Sequence, residues 1–408
     1  MKYLYLFITF VMMLFFMACS SSSNRNVLSD KDSLTTIIKI NEIEARTTLK
    51  YSDVFSDIQY VLLESKKGSI IGTIDKLELT NNNEFIVFDK ANGNIVRFNM
   101  EGKFLNNIGS RGHSAKEYIN PELMSYDAYN NKVIVYDGAK KSFLYYKLNG
   151  SYEKTISLHK YIDDFSIIGV KSIAIYANYR DVLKKNEIAY NLEIIDHEGH
   201  ILSQFDEYSI DWVDFRPSSN NTFSHQKDGL FFHKYYSPTV YIVKDDVVQP
   251  LYYIDYQSRQ IPSEWLSYKN SNEIEHKIFN EKEKAYFNTF YDCSNKYFIK
   301  TILGTGDIIN VFVDKKDPQK QLYGQIWFND LEGIVIPSQQ FFQGDKMYGV
   351  IYPEFIQQYD KILNDPDMFN YFKNNYLKKG YIISDEDINI MNMLLKSNNP
   401  IIQICTLK

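Results

Sequence analysis

Glu84-Phe85-Ile86-Val87-Phe88-Asp89 and Lys132-Val133-Ile134-Val135-Tyr136-Asp137 are two copies of one pattern, set 48 residues apart. At the same offset Ile95-Val96-Arg97-Phe98 meets Phe143-Leu144-Tyr145-Tyr146, and Gly102-Lys103-Phe104 meets Gly150-Ser151-Tyr152. Asn82-Asn83 likewise meets Asn130-Asn131. A period of this length that holds several short strands is the signature of β-propeller blades. Within the first copy Phe85 and Val87 alternate with Ile86 and Phe88, so both faces of the strand are apolar. A strand covered on both sides by neighbouring blades needs that pattern. Asn92-Gly93, Glu101-Gly102, Asn149-Gly150 and Glu198-Gly199 mark the hairpin turns between strands.

A third, looser copy runs from Ile173 to Phe205, and degenerate ones follow at Gly229–Ile254, Tyr297–Gly333 and Phe341–Tyr352. The 352 residues from Asp57 to Lys408 would hold about seven units, but two stretches read as helix. Asn272–Lys284 carries Ile274, Ile278 and Phe279 on one face, and Glu354–Ser397 carries Phe355, Ile356, Tyr359 and Ile362, then Ile388, Met391 and Leu395. Ser384 with Asp387 reads as a helix N-cap. The expected fold is therefore all-β: a six-bladed propeller over residues 34–408, with helical segments near 272–284 and 354–397 before the closing C-terminal strand. The apolar run Ile401–Leu407 is expected to complete a blade begun near Asp57–Leu63, because an open propeller would leave two exposed strand edges.

Composition narrows the function classes. The net charge is −6 over 408 residues, which gives no basic footprint for nucleic acid. Aromatic residues make up 15% of the chain, with 33 Tyr and 27 Phe. Only 7 of the 45 basic residues are Arg, so AT-rich coding together with strand propensity accounts for most of that excess. A carbohydrate-stacking surface is the alternative reading of the aromatics.

Lys2 and the apolar run Leu4–Ala18 read as a secretory signal over residues 1–18, too short to span a bilayer. The run ends at Phe16-Met17-Ala18-Cys19 and is followed by four serines. This resembles the lipobox of bacterial lipoproteins, with Phe16 where that family usually has Leu, and it implies lipidation of Cys19. Residues 19–33 then form a polar tether. Cys293 and Cys405 sit in strand-like apolar contexts and read as buried free thiols, a bridge being the alternative in an exported protein.

A second resemblance covers the chain from about Asp57 to the end. Ile70-Ile71-Gly72-Thr73-Ile74-Asp75-Lys76, Ile86-Val87-Phe88-Asp89, and Phe98-Asn99-Met100-Glu101-Gly102-Lys103-Phe104 carry it. It continues through Ile108-Gly109-Ser110-Arg111-Gly112-His113-Ser114-Ala115-Lys116-Glu117-Tyr118 and into Asn399-Pro400-Ile401-Ile402. The chain resembles the six-bladed β-propeller lipoproteins of Gram-negative bacteria, relatives of the NHL-repeat propellers. Ser114-Ala115-Lys116 stands where that family usually has Gly-Pro-Gly. The resemblance implies an envelope protein held to a membrane, the outer membrane by expectation, through a lipid on Cys19.

Candidate site residues are few. Arg111, His113, Glu117 and Tyr118 lie in the loop joining the first two blades, where a polar or anionic ligand is expected to meet them. The structural alternative is that Glu117 and Tyr118 brace the next blade. Asp89 and Asp137 end equivalent strands; they suit either Ca²⁺ in the channel or, as the favoured reading, closure of a turn. His197 and His200 flank the turn at Glu198-Gly199, a spacing that suits surface residues better than a metal pair. No nucleophile elbow, H-E-x-x-H motif or P-loop occurs. The expected function is binding of a glycan, a peptide or an envelope protein. The alternative is a propeller hydrolase or lactonase with a metal in the central channel, supported only by the fold.

Overall fold

The computed structural model describes residues 35–180, 187–212, 222–226, 229–244, 246–268, 270–333 and 335–408. The signal, Cys19 and the tether lie outside the described residues. Six four-stranded antiparallel sheets follow one another along the chain. Five are contiguous, spanning 76–107, 121–157, 164–209, 223–255 and 285–324. The sixth joins Gln339–Gln343, Lys346–Ile351 and Ile401–Leu407 to the early strand Phe55–Leu62. The fold is a six-bladed β-propeller.

The core explains why the repeat reads as it does. Phe85, Val87 and Phe98 of the first blade pack on Val350, Ile402 and Ile404 of the sixth. Ile86 and Phe88, alternate residues of the same strand, pack on Val133 and Val135 of the second blade. Further apolar wedges join the second blade to the third, the third to the fourth, the fourth to the fifth and the fifth to the sixth. The ring is thus held by one wedge per pair of blades. A strand with only one apolar face could fill one wedge and would leave the next unfilled.

Glycine at the repeat's conserved offset has a steric cause. Gly102 and Gly150 each close the hairpin between the third and fourth strands, with φ of +77° and +86°. A methyl group on Gly102 would lie 2.2 Å from Leu62 O, in the outer strand of the sixth blade. One on Gly150 would lie 2.3 Å from Asn107 O, in the outer strand of the first. Each turn presses on the backbone of the preceding blade.

The closure expected from the apolar C-terminus is present: Ile401–Leu407 pairs antiparallel with Phe55–Leu62, from Ile401 opposite Leu62 to Leu407 opposite Phe55. Upstream, Thr36–Lys39 adds a parallel fifth strand to the outer edge of the fourth blade. Thr48–Lys50 then pairs in parallel with Ile326–Phe328, just after the fifth. Residues 36–62 therefore run past three consecutive blades: Thr36–Lys39 covers the edge of the fourth, Thr48–Lys50 pairs beside the fifth, and Phe55–Leu62 is the outer strand of the sixth.

The helical segments also lie where expected, with different bounds. The first, Ser271–Asn280, is four residues shorter at its end than the apolar spacing suggested and is capped by the Asn270 side chain. The second is three helices, Pro353–Asn364, Pro366–Lys378 and Asp385–Leu394, inserted between two strands of the sixth blade. Pro366 forces the break, since the residue before a proline disfavours helical geometry, and Asp365 caps the helix that follows. Ser384 and Asp387 form the reciprocal capping box. Among the described residues no helix is long and apolar enough to cross a membrane. Cys293 and Cys405 are buried free thiols.

Candidate functional site

Antiparallel blades place their turns on two faces. The hairpins joining first to second and third to fourth strands share one face; the middle hairpins and the connections between blades share the other. Arg111, His113, Glu117 and Tyr118 belong to the second of these faces.

The Arg111 loop is largely braced by its own chain. Tyr118 is 1% exposed; its hydroxyl donates to Ile108 O and its ring meets Tyr146 edge-on. Tyr118 thus fills the wedge between the first two blades and offers no surface to a ligand, because its ring has neighbours all round. Glu117 accepts from Ser114 N at 3.0 Å and from Ser110 Oγ at 3.3 Å. Those donors hold its carboxyl below the ordinary range, led by the Ser114 N–H. Arg111 donates Nε to Ile119 O at 3.1 Å, and both Arg111 and His113 are exposed. Of the four residues, Arg111 and His113 remain open to a partner.

Asp89 and Asp137 perform one structural task twice. Asp89 accepts from Gly72 N and Asn92 N, and Asp137 from Ile119 N, Ala139 N and Lys140 N. Each carboxylate ties a turn to the segment entering its own blade. Both lie at the ends of second strands, away from the inner strands that ring the axis. Among the described residues no group of three or more His, Cys, Asp or Glu is placed to hold a metal ion.

The inner strands bring Lys76, Glu78, Asp164, Ser166 and His225 toward the axis. Lys76 Nζ lies 3.7 Å from Glu78 Oε1, and Glu78 Oε2 accepts from Tyr126 N. Ser166 Oγ and His225 Nε2 are 2.7 Å apart, a distance that suits a nucleophile and its base. Ser166 is only 4% exposed, however, so its hydroxyl is out of reach of a substrate.

A cavity of about 600 Å³ opens on the face opposite the Arg111 loop. Asp127, Asn130 and Lys132 of the second blade line it, with Tyr145 and Lys154 from the same blade. Val170, Lys171, Asp196, His197 and Leu202 come from the third blade and Asp246 from the fourth. Asp127 is fully buried and accepts from Tyr129 N, Asn130 N and Asn130 Nδ2. His197 points inward: Nδ1 lies 3.2 Å from the Tyr145 hydroxyl and Nε2 3.8 Å from Asp127 Oδ2. Burial holds its imidazole below the ordinary value, against the pull of Asp127, so the ring is neutral near pH 7. Lys154 donates to His197 O and lies over the Tyr145 ring. His200 instead faces Asp196 at 2.9 Å and is exposed, so the two histidines do not converge on a metal.

Sequence reasoning noticed His197 only through its spacing to His200. Its working partner is Tyr145, 52 residues away, and no local motif joins them. The cavity walls come from separate hairpins of three blades, so the repeat alignment alone held the signal, as turns that would share a face.

The ring of wedge-packed sheets places the protein among the β-propellers. The chain belongs to the family described as a domain of unknown function, DUF4934, whose model matches residues 35–406. A solved structure from Bacteroides fragilis, of a protein described as exported, is similar at 16% identity and a TM-score of 0.69, covering 91% of this chain and 100% of that one. A DUF4221 family member from Bacteroides vulgatus is similar at 9% identity and a TM-score of 0.49, covering 87% and 97%. Virginiamycin B lyase from Staphylococcus aureus is similar at 9% identity and a TM-score of 0.37, covering 72% and 81%. At such identities the likeness concerns the fold. A comparison with curated proteins finds no match.

Proposed function

We propose that this protein is a binding module of the cell envelope of a Gram-negative bacterium, tethered by a lipid on Cys19 and seating its ligand in the cavity between the second, third and fourth blades. The cavity carries the reading. Its volume of about 600 Å³ falls within the range of small-molecule sites, roughly 300–1,000 Å³, and its walls are side chains held by a rigid scaffold. The signal sequence, the Ala18-Cys19 junction and the serine tract support the address. The described export of the Bacteroides fragilis relative agrees with it.

The test is a thermal-shift screen of envelope glycans, short peptides and metal ions. A ligand at 100 times its dissociation constant stabilises the fold by about 2.7 kcal/mol. Val170→Trp, at an exposed position on the cavity wall, is expected to abolish the shift. The double variant Arg111→Ala, His113→Ala on the opposite face is expected to leave it intact. The reverse pattern moves the site to the Arg111 loop. A ligand that is turned over, with activity lost on chelation, replaces this reading with the hydrolase.

A further inference from the structure

We infer that the cavity takes a short zwitterionic peptide, one whose terminal ammonium and terminal carboxylate are both free. The inference rests on the cavity being the ligand seat and follows from which of its charges already have partners. Lys132 pairs with Glu153 at 2.5 Å. Lys154 pairs with Glu198 at 3.4 Å and also donates to His197 O. Asp127 accepts from its own turn, and Asp196 accepts from Glu198 N, His200 N and His200 Nδ1. His197 is neutral near pH 7, as its burial requires.

Two charged side chains on the wall remain, Lys171 and Asp246. Neither has an ion-pair or side-chain hydrogen-bond partner among the described residues. They come from different blades: Lys171 from the first hairpin of the third and Asp246 from the last hairpin of the fourth. The cavity thus presents one unmatched cation and one unmatched anion on separate walls.

That pattern selects by chemistry. A neutral saccharide could replace the water on both groups with hydroxyl hydrogen bonds but would return no counter-charge to either. A ligand of one sign would match one group and repel the other. A zwitterion matches both, its carboxylate toward Lys171 and its ammonium toward Asp246. Val170 and Leu202, 59% and 46% exposed, supply apolar wall for side chains between the two ends. The volume exceeds what a single small amino acid would fill, so a chain of a few residues suits it better.

Titration calorimetry with trialanine, N-acetyl-trialanine, trialanine amide and maltotriose tests this. Free trialanine is expected to bind, and capping either end is expected to weaken binding at least tenfold, as the loss of a charged hydrogen bond implies. In Lys171→Met the penalty for amidation is expected to vanish while the penalty for acetylation stays; Asp246→Asn reverses that pattern. Capped and free peptides binding alike, or no peptide binding at all, overturns the inference. If maltotriose binds and Val170→Trp abolishes that binding, the cavity is still the ligand seat and only the peptide assignment falls.

Discussion

Gly102→Ala adds one methyl group at the seam where the first blade meets the sixth. Gly102 sits at φ +77°, and its added Cβ would stand 2.2 Å from Leu62 O. Gly102 O also accepts from Glu64 N at 2.8 Å, so the turn cannot swing away without losing a bond across the seam. Two costs add. Left-handed backbone costs a non-glycine residue about 1–2 kcal/mol. Overpacking against the backbone adds about 1–3 kcal/mol more. Gly344 provides the control, with φ of +63° and nothing within 4 Å of an added Cβ. Gly344→Ala should therefore lose only the first cost, and Gly102→Ala both. Urea unfolding of the two variants against the wild type measures the difference. Equal losses in the two variants would refute the close-approach argument, and the turn glycines of the repeat would then be explained by backbone conformation alone.

Cys19→Ala should move the protein from the membrane fraction to the soluble one, as fractionation with fatty-acid labelling will show; a variant that still sediments with membranes refutes the anchor. Deleting Ile401–Lys408 removes a central strand whose Ile401, Ile402 and Cys405 are fully buried, and circular dichroism should show loss of the single cooperative melt instead of a frayed end. Burial pushes His233 down to about 4, so the folded state resists a proton that the unfolded chain accepts near 6.5. Its contribution is intact above pH 6.5 and declines as pH falls toward 4, reaching a loss of about 2 kcal/mol near pH 5. His233→Gln should flatten that part of the stability profile, measured by urea midpoints at pH 7 and 5; an unchanged slope refutes the assignment.

The blades were legible because their cause is periodic. Every second strand must fill two wedges, so Phe85, Ile86, Val87 and Phe88 are all apolar, and the pattern returns at 133–136. Later blades keep the wedges with different residues, such as Phe231 and Phe290 between the fourth and fifth. Their sequence repeat fades while their packing does not. The Arg111 loop was legible as an inter-blade connection, but burial is set by the neighbour a side chain meets: Tyr146 decides that Tyr118 is core, and that contact lies outside the loop. The cavity was the least legible feature. Its charges matter by what they pair with, and Lys132–Glu153 or Lys154–Glu198 are partnerships across strands that spacing alone does not reveal.

The seam of the sixth blade also sets a timetable. Five blades are built from consecutive strands and can form in the order in which they are made. The sixth needs Phe55–Leu62, among the first strands synthesised, and Ile401–Leu407, the last. At about 5–20 residues per second, a chain of 408 residues takes on the order of 20–80 seconds to make. From the completion of its last strand at Asn107 until Ile401–Leu407 is made, the first blade lacks its sixth-blade neighbour, and Phe85, Val87 and Phe98 lack that half of their wedge. Closure of the ring is therefore one late event that joins the two ends of the propeller, and the first and sixth blades gain their shared wedge together.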